Sequence, residues 1–210
     1  MAVRWIIGAL LGSVSKILCD KVEKHLLSKR DKKSAHTRTE DVIVWMLLAA
    51  AGAVIVWRDG FGIYTLYKFL FFMLCELIAM TDFHHRIIPN QLLLALLMNR
   101  TGLLLFELMG VIHTSEPSVV SVLMGLVVGG LLFFIPAVLS AGIGAGDIKL
   151  AAVLGFCLGI TNLLYGIVLA GAGILVYMFI QKIRLAESTL HSAIPLGPFL
   201  TAAAVFMANI

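Results

Sequence analysis

Residues 118–140 read SVVSVLMGLVVGGLLFFIPAVLS, 23 residues without one charged side chain. A bilayer's hydrocarbon core is about 30 Å thick and takes about 20 apolar residues per helical crossing, so this stretch reads as a membrane-spanning helix. Lipid offers no partner to an open N–H or C=O, and no alternating pattern suggests a barrel. Working outward, similar apolar runs cover 3–19, 41–57, 61–80, 87–112, 148–160, 162–181 and 193–209. The expected fold class is all-α: a polytopic membrane protein with about eight transmembrane helices, six to eight being allowed, in one domain over 1–210. The lower numbers arise because only Gly159-Ile160-Thr161-Asn162 divides two of the runs, and Asn99, Arg100 and Glu107 interrupt another. Composition agrees. With 60% apolar residues, 13% charged and a mean hydropathy of +1.02, a water-soluble globule is excluded. So is a bulky extramembrane domain, and the net charge of +4 does not make a nucleic-acid partner.

Lys and Arg are retained on the cytoplasmic side of a membrane. With both termini outside, the inner connections are 20–40, 81–86, 140–149 and 182–192, and they hold 11 of the 16 basic residues. Residues 20–40 form the only long hydrophilic stretch and read as a basic cytoplasmic loop lying on anionic lipid headgroups. Arg4 before an apolar run suggests a signal peptide, but no cleavage pattern follows, so a retained first helix is expected. Cys19, Cys75 and Cys157 form no C-x-x-C pair, which leaves each as a small packing residue.

Four acids lie in or beside the apolar runs: Glu76, Asp82, Glu107 and Asp147. A carboxylate at membrane depth costs several kcal/mol unless paired, hydrated or protonated, so each needs a reason. Asp82 closes the 61–80 run and Asp147 opens the 148–160 run. Two crossings separate them, which returns the chain to the same side. Each acid is also within about one turn of a helix end, where water enters easily. Two such carboxylates can share one proton, one taking a proton from water while the other protonates a peptide carbonyl oxygen. Gly142, Gly144 and Gly146 clear side chains from around Asp147, and Lys149 adds a cation.

Thr81-Asp82, Ile88-Pro89-Asn90, the segment Gly144-Ala145-Gly146-Asp147-Ile148-Lys149-Leu150 and the segment Ile194-Pro195-Leu196-Gly197-Pro198-Phe199 resemble, in order and spacing, the prepilin peptidases. These are the GxGD-type intramembrane aspartic proteases that process type IV prepilins. The resemblance covers about 60 to 205 and implies that Asp82 and Asp147 are the catalytic pair. Gly144, Gly146, Lys149, Pro89 and Pro195 shape the site in this reading. The resemblance further implies a membrane-inserted substrate with a short basic leader, cut on the cytoplasmic side before its apolar helix, usually after glycine. The setting is then the cytoplasmic membrane, crossed several times, and no metal or organic cofactor is required. Bifunctional relatives carry paired C-x-x-C motifs in the first cytoplasmic loop. Here 20–40 has only Cys19 at its edge, so a peptidase without a methyltransferase domain is expected. Where many relatives have a second acid two residues after the first aspartate, this chain has His84.

Simpler readings accompany these. Aspartate at a helix N-terminus caps free N–H groups, which suits Asp147 better than Asp82. Glu76 would sit about 9 Å deeper than Asp82 and bond to a neighbouring helix. Arg100 and Glu107, seven apart, make a paired structural set. His84 and His85 read as a solvated or lipid-facing pair rather than metal ligands. Pro89 starts the fourth helix, and Pro195 and Pro198 open the last helix with an irregular turn, whose functional reading is that it packs beside Asp147 and shapes the cleft. Gly125, Gly129, Gly130, Gly171 and Gly173 serve close helix packing. The alternatives are a GxGD protease for another precursor, a preflagellin or pseudopilin, and a proton-coupled transporter.

Overall fold

A computed structural model describes residues 17, 20–22, 38–111, 117–139, 143–184 and 195–209. The 3–19 run and the 20–40 loop fall largely outside these residues, as do Gly142 and Ile194. The protein is all-helical, with no strand among the described residues. The helices whose bounds lie in the described residues are α1 (Arg38–Asp59), α2 (Ile63–His85), α3 (Asn90–Leu108), α4 (Val119–Leu139), α5 (Ala145–Arg184) and α6 (Gly197–Ala208). Four of them, α2 to α5, are long and apolar enough to cross a membrane, and α6 is a shorter apolar helix. The chain is accordingly read as a multi-pass membrane protein.

Helix ends follow backbone rules. A residue just past a helix C-terminus commonly turns left-handed so that its N–H can reach back to a free carbonyl, and glycine does this without strain. Gly60 (φ 76°) closes α1 with its N–H on the Val56 carbonyl at 3.1 Å. Gly110 (φ 68°) closes α3, its N–H on Glu107 and that of Val111 on Phe106, each at 3.0 Å. This double bond ends the 87–112 run four residues early. At the end of α2 the left-handed residue is Arg86 (φ 52°), whose N–H reaches the Asp82 carbonyl at 2.8 Å.

The chain divides into two compact units. The first lies within Met1–Leu77 and Asn99–Thr114. Its apolar core includes Ile55, Val56, Tyr67, Phe71, Leu74 and Leu103. Charges are buried there too. Lys68 Nζ pairs with Asp59 at 3.0 Å and stands 4.5 Å from the Tyr64 ring centre. Arg100, fully buried, lies 3.9 Å from Glu107 and 5.9 Å from the Tyr67 ring centre. The Arg100–Glu107 pair matches its expected structural role. Lys68 is a buried cation that a search for acids alone passes over.

The second unit lies within Ile78–Met98 and Ser115–Ile210. Here α4 packs on α5 and α5 on α6. Inside lipid, apolar contact drives no association by itself, so close backbone approach through small residues matters more than in water. Gly125 and Gly129 of α4 face Ala151, Gly155 and Gly159 of α5, both rows at four-residue spacing. A Cβ on Gly125 would run into the Gly155 carbonyl, and one on Gly129 would come to 2.5 Å from the Ala151 oxygen. Gly130 has an ordinary contact at 3.5 Å, Gly173 faces Phe199, and Gly171 has nothing within 4 Å, so the packing role does not extend to Gly171.

At 1.5 Å per residue a straight α5 would be about 60 Å long, about twice the hydrocarbon thickness. It breaks at Gly159 (φ 72°, ψ 170°), at the weak divider read from the sequence. Only glycine suits this position, because a Cβ would lie 2.7 Å from Pro117 and 2.8 Å from the Ser121 hydroxyl. That hydroxyl accepts the Ile160 N–H at 3.3 Å, supplying an acceptor at the break.

Candidate active site

Asp82 and Asp147 are both in the second unit. Asp82 stands three residues before the end of α2, after Thr81, whose hydroxyl is tied to the Ile78 carbonyl at 3.1 Å. Only 6% of Asp82 is exposed. Its Oδ2 accepts the backbone N–H of Gly197 at 2.9 Å, and the Arg86 charge acts on it. Thus a carboxylate at the C-terminal end of one helix sits on the N-terminal residue of another, where N–H groups and the helix dipole favour an anion. The capping reading therefore fits Asp82 through α6, although its own helix ends there.

Asp147 is the third residue of α5 and half-buried. Its N–H donates to the Gly144 carbonyl at 3.0 Å, and its carboxylate accepts the Gly144 N–H. These reciprocal bonds resemble a capping box. The charge on Asp82 acts on Asp147, so the two carboxylates are within Coulombic range although 65 residues separate them in sequence. Both lie within a turn of a helix end, as expected.

The surrounding motif residues meet in pairs. Lys149 Nζ donates to Asn90 Oδ1 at 3.3 Å, joining the start of α5 to the start of α3. Pro89, buried, starts α3 by offering its carbonyl to the Leu92 N–H at 3.0 Å, as read from the sequence. A Cβ on Gly146 would lie 3.3 Å from Ile88 Cβ, so that glycine admits the Ile88-Pro89 segment. A Cβ on Gly144 would lie 3.2 Å from Asp147 Oδ2.

The turn beginning at Pro195 meets Asp82, whose carboxylate accepts the Gly197 N–H. The first turn of α6 carries donors with no carbonyl in their own helix, and the Asp82 carboxylate takes one of them. Gly197 was missed as a site residue. The available signal was its position between Leu196 and Pro198 in a run already noted.

His84 and His85 are half-buried, more enclosed than a solvated pair. His84 Nδ1 lies 3.1 Å from the Met80 carbonyl, and the Phe83 and His84 rings meet edge to face at 5.3 Å. Among the described residues no three His, Cys, Asp or Glu side chains converge to hold a metal. Cys75 and Cys157 are buried free thiols. What the arrangement can do follows from its groups: two carboxyls in range of one another can pass a proton through an interposed water, as acid–base hydrolysis requires.

The profile of the type IV leader peptidase family matches residues 69–180, more than half of the chain. Over 124 residues the chain is 32% identical to the prepilin leader peptidase/N-methyltransferase of Bacillus subtilis (strain 168), an alignment covering 59% of this chain and 46% of that protein. It therefore spans about half the length of the curated relative it matches. No solved structure matches the chain. By the extent of the profile match, which includes both aspartates, this chain belongs to the type IV leader peptidase family.

Proposed function

We propose that the protein is a membrane aspartic endopeptidase that removes the short basic leader from type IV prepilin-like precursors at the cytoplasmic face of the cell membrane. The observation that carries this reading is the occurrence of Asp82 and Asp147, from distant stretches of one family domain, within Coulombic range in one compact unit. One carboxylate takes a proton from a water held between the pair, and the resulting hydroxide bonds to the scissile carbonyl carbon. The other, entering as the acid, gives its proton to the carbonyl oxygen. The tetrahedral intermediate then breaks its C–N bond as the leaving nitrogen takes a proton from the first acid and one of the two hydroxyls on carbon returns its proton to the second carboxylate. Water has added across the peptide bond, and the pair again holds one proton. Gly144, exposed and free of a side chain, leaves room for an extended substrate backbone near Asp147, while Gly146 shapes the site by admitting Ile88.

Lys149, Pro89 and Pro195 hold the surrounding segments in this reading. The inner loops are basic, so they repel rather than attract a basic leader. Its recognition rests on backbone pairing, acidic groups and anionic lipid. With no C-x-x-C pair in 20–40, the reading is confined to peptidase chemistry. Co-expression with candidate prepilins, followed by N-terminal sequencing of the product, tests it. A new N-terminus just before the apolar helix is expected. Precursors that all remain uncut in the presence of inserted protein would refute it.

A further inference from the structure

The bond from Gly197 to Asp82 ties a carboxylate to a backbone donor, and several features around it serve no other evident end. First, the residue is compelled to be glycine by contact rather than by φ. A Cβ at 197 would lie 2.5 Å from Asp82 Oδ2 and 2.9 Å from both its Cβ and its Cγ. Second, the following residue is Pro198, which has no N–H, so one potential competitor for the carboxylate in the first turn of α6 is missing. Third, that turn is fixed from its own side. The Thr201 hydroxyl donates towards the Gly197 carbonyl at 2.9 Å and the Pro198 carbonyl at 3.2 Å. Phe199 lies 3.2 Å from where a Cβ on Gly173 would stand, and its ring meets Tyr177 edge to face at 5.6 Å. The α6 N-terminus is thus seated on α5, the helix whose third residue is Asp147.

We infer that the Gly197 N–H is the positioning group for Asp82, holding its carboxylate by Oδ2 so that Oδ1 is left for the water and the scissile peptide. The inference rests on the proposed role of Asp82 as a reacting acid. It goes beyond that role by assigning the orientation of the acid to a backbone amide lying outside the region matched by the family profile. Gly197 is a positioning residue, not a catalytic one. Its effect is confined to the geometry of Asp82.

The test uses the full chain in proteoliposomes and a synthetic precursor with a lysine-rich leader, one glycine and an apolar helix. Gly197→Ala is expected to lower kcat by about 100-fold, the usual scale for a misplacement of about 1 Å, with KM changed by less than about threefold. Replacing Gly197 with glycolic acid by nonsense suppression converts the amide to an ester and removes the N–H without adding a Cβ. It should lower kcat by about tenfold and displace the pH–rate profile, which a merely structural role would not do. Gly102→Ala, at a helical glycine with nothing within 4 Å, should leave both parameters unchanged. If Gly197→Ala fails to accumulate, the ester variant decides alone. An ester variant with wild-type kcat and pH profile, or a Gly197→Ala variant altered only in KM, would overturn the inference. Asp82→Asn separates the two levels of the argument. If it still cleaves, the hydrolytic reading itself fails. If it is inert while both position-197 variants keep wild-type kcat, only the positioning role fails.

Discussion

Replacing Arg86 with glycine should stabilise the protein, although it removes a charge near a site acid. Arg86 holds φ 52° at the end of α2, a conformation costing an L-residue about 1–2 kcal/mol, whereas Gly60 and Gly110 hold the equivalent place after α1 and α3. Arg86 is exposed, so water screens its attraction to the buried Asp82, and that attraction offsets only part of the strain. Arg86→Ala removes the same charge and keeps the strain. Allowing for the greater freedom of glycine in the unfolded chain, the glycine variant should exceed the alanine variant by about 1 kcal/mol. That is about a fivefold shift in the ratio of folded to unfolded protein. Gly110→Ala is the reciprocal change. With nothing within 4 Å of its Cβ, its expected loss of about 1 kcal/mol is purely conformational. Reversible unfolding in mixed micelles, followed by tryptophan fluorescence against detergent mole fraction, measures all three. An Arg86→Gly variant no more stable than Arg86→Ala would refute the reasoning, as would a Gly110→Ala variant as stable as the starting protein.

Further predictions concern packing, buried charge and metal dependence. Gly125→Ala should destabilise by about 1–3 kcal/mol in the same titration, because its Cβ meets the Gly155 carbonyl, while Gly130→Ala should be nearly neutral. Glu107→Gln should cost more than Arg100→Met, because it removes a carboxylate lying 3.9 Å from a guanidinium that stays fully buried, whereas methionine removes the buried charge itself. A loss of about 3 kcal/mol is the scale for breaking such a pair, and equal losses in the two variants would contradict the argument. EDTA should leave leader cleavage unchanged; loss of cleavage restored by zinc would return His84 and His85 to consideration as ligands.

The helical plan was legible because lipid forces each spanning segment to satisfy its own backbone, so apolar length alone marks the elements. Even Gly159, a faint divider in sequence, is where α5 breaks. Arg100 and Glu107 were legible as a pair because seven residues return a helix to nearly the same face. Lys68 was not, because its partner Asp59 lies on another helix. Of the site, the local part was readable. Gly144 and Asp147 cap the start of their own helix within four residues of sequence, and Pro89 starts α3 where it stands. The Gly197–Asp82 bond spans 115 residues and depends on how α6 is seated. No periodicity or spacing carries that information. The left-handed turn at Arg86 was hidden for a different reason: arginine is not a residue that signals such a turn, and the need to close α2 overrides its preference.

Leader hydrolysis by this route requires Asp82 and Asp147 to act on one peptide bond. Its most direct test is cleavage of a co-expressed precursor by Asp82→Asn and Asp147→Asn variants, with the amount of inserted protein followed in parallel. Each variant is expected to accumulate in the membrane at the wild-type level and to leave the precursor entirely uncut. Normal cleavage by either one would contradict the account.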